Sequence, residues 1–196
     1  MTPAAPPPPA TRTVPRLARL ALRLLGWTLL DLPRRPAKAV VIGYPHTSNW
    51  DFPVGILAIA GLALDGRWVG KDTLFRFGGG PLFRALGGIP VNRRQNTGFV
   101  ERMKEEFTRR DSFLLIMAPE GTRRRTQGWK SGFYRIALAA DVPVLVGFID
   151  WSRREIGLVA EVRLSGDADA DMARIAACYE GRAGYRPENA SPLRLL

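Results

Sequence analysis

The sequence predicts a single α/β domain, a layered fold in which helices flank a central sheet that is mostly parallel or mixed. Apolar runs of strand length occur at residues 39–43, 113–118 and 142–149. Segments with helical periodicity separate these runs, and strand–helix alternation is typical of this fold class. The chain has 196 residues, 46 % of them hydrophobic, which is the size and composition of one domain with a substantial core.

The individual elements follow from local patterns. Uninterrupted apolar runs indicate strands that are buried on both faces, whereas the alternation at residues 156–164 indicates a strand that is buried on one face. The predicted strands lie at residues 39–43, 67–70, 113–118, 142–149 and 156–164, with a further short strand within 87–94. The predicted helices lie at residues 16–30, 52–64, 81–86, 97–110, 133–140 and 168–179, with a helical turn at 71–77.

The two ends of the chain differ from the middle. Residues 1–15 are rich in proline and alanine, which predicts a disordered tail. Residues 33–180 form the predicted folded domain, and residues 181–196 are expected to form a loose C-terminal tail. We find no internal repeat and no second domain.

Residues 16–32 are predicted to form an amphipathic interfacial helix. Arg16, Arg19 and Arg23 fall on one side of the helix, and leucines cover most of the remainder. A helix of this kind can lie in the interface of a membrane. The alternative is a surface helix that packs on the protein's own core.

The charge balance indicates an anionic partner. The chain carries 29 basic and 18 acidic residues, a formal net charge of +11. Nucleic acid, an acidic membrane surface and phosphorylated substrates all meet that description. The sequence lacks a recognisable nucleic-acid-binding motif.

The longest uncharged run, residues 52–64, is shorter than the roughly 18 residues of a spanning helix, so no transmembrane helix is expected. The start of the chain does not resemble a signal peptide. One cysteine excludes an internal disulfide, and one histidine with one cysteine predicts no zinc site.

His46 and Asp51 stand on a turn between a predicted strand and a predicted helix. Such turns lie at the edge of a sheet, where they are accessible to a ligand. A histidine can accept a proton at neutral pH, and a neighbouring carboxylate can hold its ring in one tautomer. The alternative is that His46 packs in the turn and Asp51 favours a helix N-terminus.

Three polar clusters follow predicted strands: His46 with Asp51, Arg93 with Arg94, and residues 120–123. If the strands run parallel and side by side, the clusters converge at one edge. A base, two guanidinium groups and a loop opened by glycine would make a pocket for phosphate and acyl groups.

These three clusters, together with the predicted strand that begins at residue 142, resemble the four sequence blocks of the lysophospholipid, or 1-acylglycerol-3-phosphate, acyltransferases. The His-x4-Asp block is matched by His46 and Asp51, and the Gly-x-x-x-x-Arg block by residues 88–93. The Pro-Glu-Gly-Thr-Arg block is matched in full by residues 119–123, and the strand that begins Val-Pro by residues 142–146. The blocks occur in family order over about residues 38–150. The resemblance implies that the predicted folded domain, residues 33–180, is an acyltransferase domain.

The resemblance implies acyl transfer from acyl-CoA or acyl carrier protein, as a co-substrate and without a cofactor, to a lipid hydroxyl. His46 would deprotonate that hydroxyl, and Asp51 would orient His46. Arg93 and Arg123 would hold a phosphate of the acceptor. The remaining expected acceptor-site residues are Lys71, Glu120, Gly121 and Thr122.

Lysophosphatidic acid, acylated to phosphatidic acid, is the first expectation for the acceptor. Pro45, Ala118 and Arg124 depart from residues that are common in the family, so another lysolipid such as a lyso-ornithine lipid is the alternative. The expected location is peripheral, on the cytoplasmic face of an anionic membrane. Two further hypotheses are a lipid-binding protein without catalysis, which the His46–Asp51 pair disfavours, and a basic nucleic-acid-binding protein.

Overall fold

The computed structural model describes residues 13–76, 79–91 and 98–196. Strands and helices alternate through these ranges. The strands are β1 Thr28–Leu30, β2 Lys38–Tyr44, β3 Gly66–Lys71, β4 Gly88–Val91, β5 Phe113–Met117, β6 Val144–Asp150 and β7 Glu155–Val162. The helices are α1 Thr13–Leu24, α2 Asp51–Gly61, α3 Gly80–Ala85, α4 Phe99–Arg109, α5 Gly132–Ala139 and α6 Ala168–Ala177.

All seven strands belong to one sheet, in the order β1-β7-β6-β2-β5-β3-β4. The five strands from β6 to β4 in that order are mutually parallel. β7 runs antiparallel to β6, and β1 runs parallel to β7 at the edge. The predicted single α/β domain with a mostly parallel or mixed sheet is therefore confirmed.

β2 lies at the centre of the sheet and brings the first polar cluster to its edge. It pairs with β6 on one side and with β5 on the other. Most of its residues are buried, as the uninterrupted apolar run predicts for a central parallel strand. Because β2, β5 and β6 are parallel, their C-terminal ends meet at the same edge.

The core has two parts, one on each face of the sheet. On one face, Val40 and Ile42 of β2 pack with residues of α4, α5 and α6, among them Phe107, Phe133 and Ile175. On the other face, Ala39 and Val41 meet Leu62, which directly follows α2. A third cluster lies between α1 and α2, where Leu22 packs with Val54 and Ala58. The fold thus has three layers: α4, α5 and α6 on one face of the sheet, the sheet itself, and α1 and α2 on the other face.

The first helix is shorter than the sequence predicts. It ends at Leu24, and Gly26 then takes a positive φ of 77°, a conformation that glycine adopts without strain. Trp27 is buried, and Thr28–Leu30 form the edge strand β1 along β7. The glycine and the strand pairing thus end the leucine-rich helix before residue 30.

α1 packs by one side and leaves an apolar side exposed. Ala18 and Leu22 are buried, and Arg19 donates from Nε to the carbonyl of Gly61 at 2.7 Å. The remaining large side chains point to solvent, with Leu24 78 % exposed. The exposed apolar residues of this face are Val14, Leu17, Leu20, Leu24 and, just beyond the helix, Leu25.

The C-terminal segment is packed, unlike the loose tail that the sequence predicts for residues 181–196. Trp129 donates its N–H to the carbonyl of Arg194 at 2.7 Å and accepts from the N–H of Leu196 at 2.9 Å. Ser191 is buried. Backbone hydrogen bonds hold the segment in place, and its Ala190, Leu193 and Leu195 pack against the core. Most of the other predicted tail, residues 1–12 of 1–15, lies outside the described residues.

None of the helices within the described ranges is both long and apolar enough to span a bilayer.

Candidate functional site

The site lies where β2, β5 and β6 end. His46 and Asp51 follow β2, Glu120 follows β5, and Trp151 follows β6. Loops at the C-terminal ends of parallel strands are the usual place for a ligand in such a sheet. The structure joins three of the predicted residues, His46, Asp51 and Glu120, through direct hydrogen-bond-range contacts.

The His46 ring faces the Asp51 carboxylate. Nδ1 lies 3.2 Å from Oδ2, and the two side chains are 24 % and 4 % exposed. Among the described residues, no partner occupies Nε2 of the histidine. With Nδ1 toward Asp51, Nε2 is the nitrogen that can exchange a proton with a substrate.

Asp51 opens α2 and is held from several directions. Its Oδ2 accepts the backbone N–H groups of Thr47 and Ser48, each at 2.8 Å. Its Oδ1 accepts the indole N–H of Trp151 at 2.7 Å. A carboxylate at the first turn of a helix also interacts favourably with the helix dipole. One buried carboxylate thus binds three consecutive residues of the turn, His46, Thr47 and Ser48.

Glu120 is almost wholly buried, 1 % exposed, and binds backbone groups. Its Oε2 accepts the N–H of His46 at 2.7 Å, and its Oε1 accepts the N–H of Ser191 at 2.9 Å. Burial raises the pKa of the Glu120 carboxyl, and these two N–H groups partly oppose that shift. Glu120 thus supports the His46 turn from behind.

The C-terminal segment supports the same turn. The N–H of Arg186 donates to Oγ1 of Thr47 at 3.2 Å, and the hydroxyl of Tyr44 donates to the carbonyl of Ser191 at 3.1 Å. Ser191 also accepts the N–H of Thr126 at 3.1 Å through its Oγ. Residues on both sides of His46 are thereby tied to the last part of the chain.

Arg123 follows Glu120 on a loop in which Gly121 takes a positive φ of 66°. Its side chain is half-buried, and its Nε is buried without a hydrogen-bond partner in the described part of the chain. Thr122 accepts the N–H of Arg124 at 3.3 Å through its hydroxyl. A buried guanidinium N–H without a protein partner is a donor that an anionic ligand could satisfy.

The other predicted binding residues, Lys71 and Arg93, are not among the contacts described above. Lys71 ends β3, at the same edge of the sheet as His46, and is exposed. Arg93 lies outside the described residues, as does Arg94.

An apolar cavity of about 180 Å³ adjoins the His46–Asp51 pair. It lies between α2 and the sheet and is open to solvent on one side. Its walls come from α2 and from the five strands β2, β3, β5, β6 and β7. Lining residues include Gly43, His46, Asp51, Phe52, Gly55, Ile56, Ile59, Trp68, Ile116, Met117, Phe148, Ile149 and Ile156.

Glycine keeps part of this cavity open. A Cβ on Gly55, in the middle of α2, or on Gly43 would meet no atom within 4 Å. Glycine inside a helix costs about 0.8–1.0 kcal/mol relative to alanine. Gly55 therefore stands where alanine would fit and would favour the helix, and its missing side chain leaves more room in the cavity.

Three contributors to the site are absent from the sequence prediction. Trp151 and Ser191 contact the His46 turn or its supports from 100 and 71 residues away in the chain, distances at which no local pattern signals a contact. Gly55 does carry a signal, because an isolated glycine in a helical pattern often has a packing reason.

The fold and site define an α/β protein in which a histidine–carboxylate pair borders an apolar cavity at the edge of a mostly parallel sheet. A protein-family model described as Acyltransferase matches residues 30–146. Since this match covers more than half of the chain, the protein belongs to the acyltransferase family, and its reaction class is acyl transfer. A comparison with curated proteins finds no significant match.

Proposed function

We propose that this acyltransferase moves a fatty acyl group from a thioester donor, acyl-CoA or acyl carrier protein, to the hydroxyl of a lysophospholipid. The observation that carries the proposal is the His46–Asp51 pair, 3.2 Å apart, on the wall of an apolar cavity. A base next to a place for an apolar chain is what acyl transfer to a hydroxyl requires.

The reaction begins when Nε2 of His46 takes the proton of the acceptor hydroxyl. The hydroxyl oxygen attacks the thioester carbonyl and forms the C–O bond of the new ester. The C–S bond of the thioester then breaks. The departing thiolate takes the proton from the imidazolium, which returns His46 to its starting state. Asp51 stabilises the imidazolium between these steps and keeps Nδ1 occupied.

The acyl chain would enter the cavity between α2 and the sheet. A cavity of about 150 Å³ accommodates a benzene ring, so the 180 Å³ here has room for about half a dozen carbon atoms. The rest of a longer chain would lie outside the cavity or would require the walls to move. Gly55 would lie along the bound chain.

The acceptor we favour is lysophosphatidic acid, because Arg123 has a buried N–H without a protein partner. A guanidinium group can bind a phosphate through two parallel hydrogen bonds, which lysine cannot reproduce. Arg93 would be a second contact of this kind, and Lys71 would add positive charge.

Membrane attachment would occur through α1. Its exposed leucines face away from the core, Arg16 and Arg23 stand beside them, and the chain has a net charge of +11. An apolar face with arginines at its border fits an anionic lipid surface. The protein would then work as a peripheral enzyme.

His46→Ala is expected to lower the rate of acyl transfer by about 10²–10⁴-fold, since that is the usual contribution of a positioned general base. The measurement is release of thiol from a purified acyl-CoA with lysophosphatidic acid present. Asn49→Ala, an exposed change in the same turn, is the control and should keep the wild-type rate. Equal rates in His46→Ala and wild type, with both proteins folded, would rule out the mechanism.

Gly55→Leu is expected to shift the donor preference toward shorter acyl chains, because the new side chain would occupy the cavity. The measurement is kcat/KM for acyl-CoA donors from butanoyl to palmitoyl. Gly132→Ala fills open space at the start of α5 instead and should leave the preference unchanged. An unchanged profile in Gly55→Leu would show that the acyl chain binds elsewhere.

Arg123→Lys is expected to reduce kcat/KM for lysophosphatidic acid about tenfold or more, since hydrogen bonds to charged groups contribute about 1.5–3 kcal/mol. The rate with an uncharged monoacylglycerol should change little. Arg124→Lys, an exposed change next in the loop, is the control. If wild type does not prefer the phosphate, or Arg123→Lys keeps the preference, the acceptor is another lysolipid, and a lyso-ornithine lipid is the next to assay.

Replacing Leu20 and Leu24 together by glutamate is expected to weaken binding to phosphatidylglycerol vesicles by at least about tenfold, because each buried leucine contributes about 1.5–3 kcal/mol. Vesicle flotation measures the bound fraction. Leu138→Glu places a new negative charge on α5, at the opposite face of the sheet, and is the control for charge alone. If the Leu20/Leu24 double variant floats as well as Leu138→Glu and wild type, α1 does not bind the membrane.

A further inference from the structure

We propose that Trp151 is a positioning residue, one whose indole N–H holds the Asp51 carboxylate in the orientation that presents Oδ2 to His46. The inference rests on the proposed role of His46 as general base. Trp151 lies beyond the matched family region, residues 30–146, and outside the four sequence blocks.

The two oxygens of Asp51 have separate partners. Oδ2 receives two backbone N–H groups, from Thr47 and Ser48, and faces Nδ1 of His46. Oδ1 receives the indole N–H of Trp151 at 2.7 Å, its one hydrogen-bond donor among the described residues. The indole therefore determines which oxygen is turned toward the histidine.

Trp151 is itself held on several sides. Its ring meets Trp27 edge-on, with centroids 4.9 Å apart, and Tyr185 at 4.7 Å. Its backbone N–H donates to the carbonyl of Ala183 at 2.8 Å, and the Arg154 guanidinium lies 5.4 Å from its ring. These contacts come from the chain after α1, from the turn between β6 and β7, and from the C-terminal segment, so the indole is held by groups other than Asp51.

Loss of the indole N–H would leave Oδ1 unsatisfied in a site where the Asp51 side chain is only 4 % exposed. A buried acceptor without a donor is costly. The carboxylate would rotate toward other donors or admit water, and either change weakens its contact with Nδ1. His46 would then be held less strictly in the tautomer that leaves Nε2 free to accept a proton.

Trp151→Phe tests this, because phenylalanine keeps an aromatic ring between Trp27 and Tyr185 but has no N–H. The chain has a single histidine, so the ¹⁵N signals of the His46 ring can be assigned without ambiguity. In wild type we expect the neutral ring to carry its proton on Nδ1. In Trp151→Phe we expect part of the population to move to the other tautomer, as in Asp51→Asn. Trp50→Phe, next to Asp51 but 62 % exposed, should give the wild-type spectrum.

The kinetic expectation is a loss in kcat of about 10- to 100-fold, in line with one hydrogen bond to a charged group. KM for the donor should change by less than about twofold, because Trp151 does not line the cavity. In an Asp51→Asn background, Trp151→Phe should add little further loss, since the two changes act through one interaction. A full additional loss in that background, or a wild-type tautomer in Trp151→Phe, would overturn the proposal.

If Trp151→Phe does not fold, benzothienylalanine at position 151 gives the same test, because it keeps the shape of the indole and replaces N–H by sulfur. The spectroscopic result does not depend on the substrate. If wild type transfers no acyl group, the proposed function fails, while the tautomer comparison still decides whether Trp151 orients Asp51. If transfer occurs and the tautomer does not change, only the role of Trp151 fails.

Discussion

The buried carboxylate of Glu120 is the contact on which the arrangement of the site depends. Removing a carboxylate from water is costly, and this one is compensated by N–H groups from His46 and Ser191, which belong to opposite ends of the folded chain. One side chain thereby ties the end of β5 to the His46 turn and to the C-terminal segment. The position of His46 therefore depends on the contacts of Glu120 as well as on its own turn.

The two faces of the sheet are packed differently. The face under α4, α5 and α6 is filled by large side chains such as Phe133 and Ile136, both fully buried. The face under α2 contains a cavity beside the His46–Asp51 pair, and Gly55 keeps part of it open at a cost to the helix. Stability is concentrated on one side, so the other side can retain the empty space that a ligand needs.

The sequence predicts the fold well because the three central parallel strands, β2, β5 and β6, are apolar runs that polar residues follow. It also predicts the His46–Asp51 pair, whose members are close in the chain and share one turn. It does not predict Trp151 beside Asp51, because that contact depends on β6 lying next to β2, an order that no apolar pattern encodes. Ser191 is missed for the same reason, so the sequence predicts a loose tail where the structure has a packed segment. Gly26 did offer a local signal for the end of α1.

The long sequence separation of these contacts has a consequence for the order in which the enzyme matures. Glu120, Trp151 and Arg186 reach the His46 turn across 74, 100 and 139 residues. A nascent chain that extends only through the four sequence blocks has every motif of the family, and Glu120 among them. It still lacks Trp151, Arg186 and Ser191, which complete the hydrogen bonds around the His46 turn. Contacts of such range form late, because the intervening chain must first be closed into a loop. The hydrogen bonds around His46 would thus be incomplete until synthesis had passed Ser191.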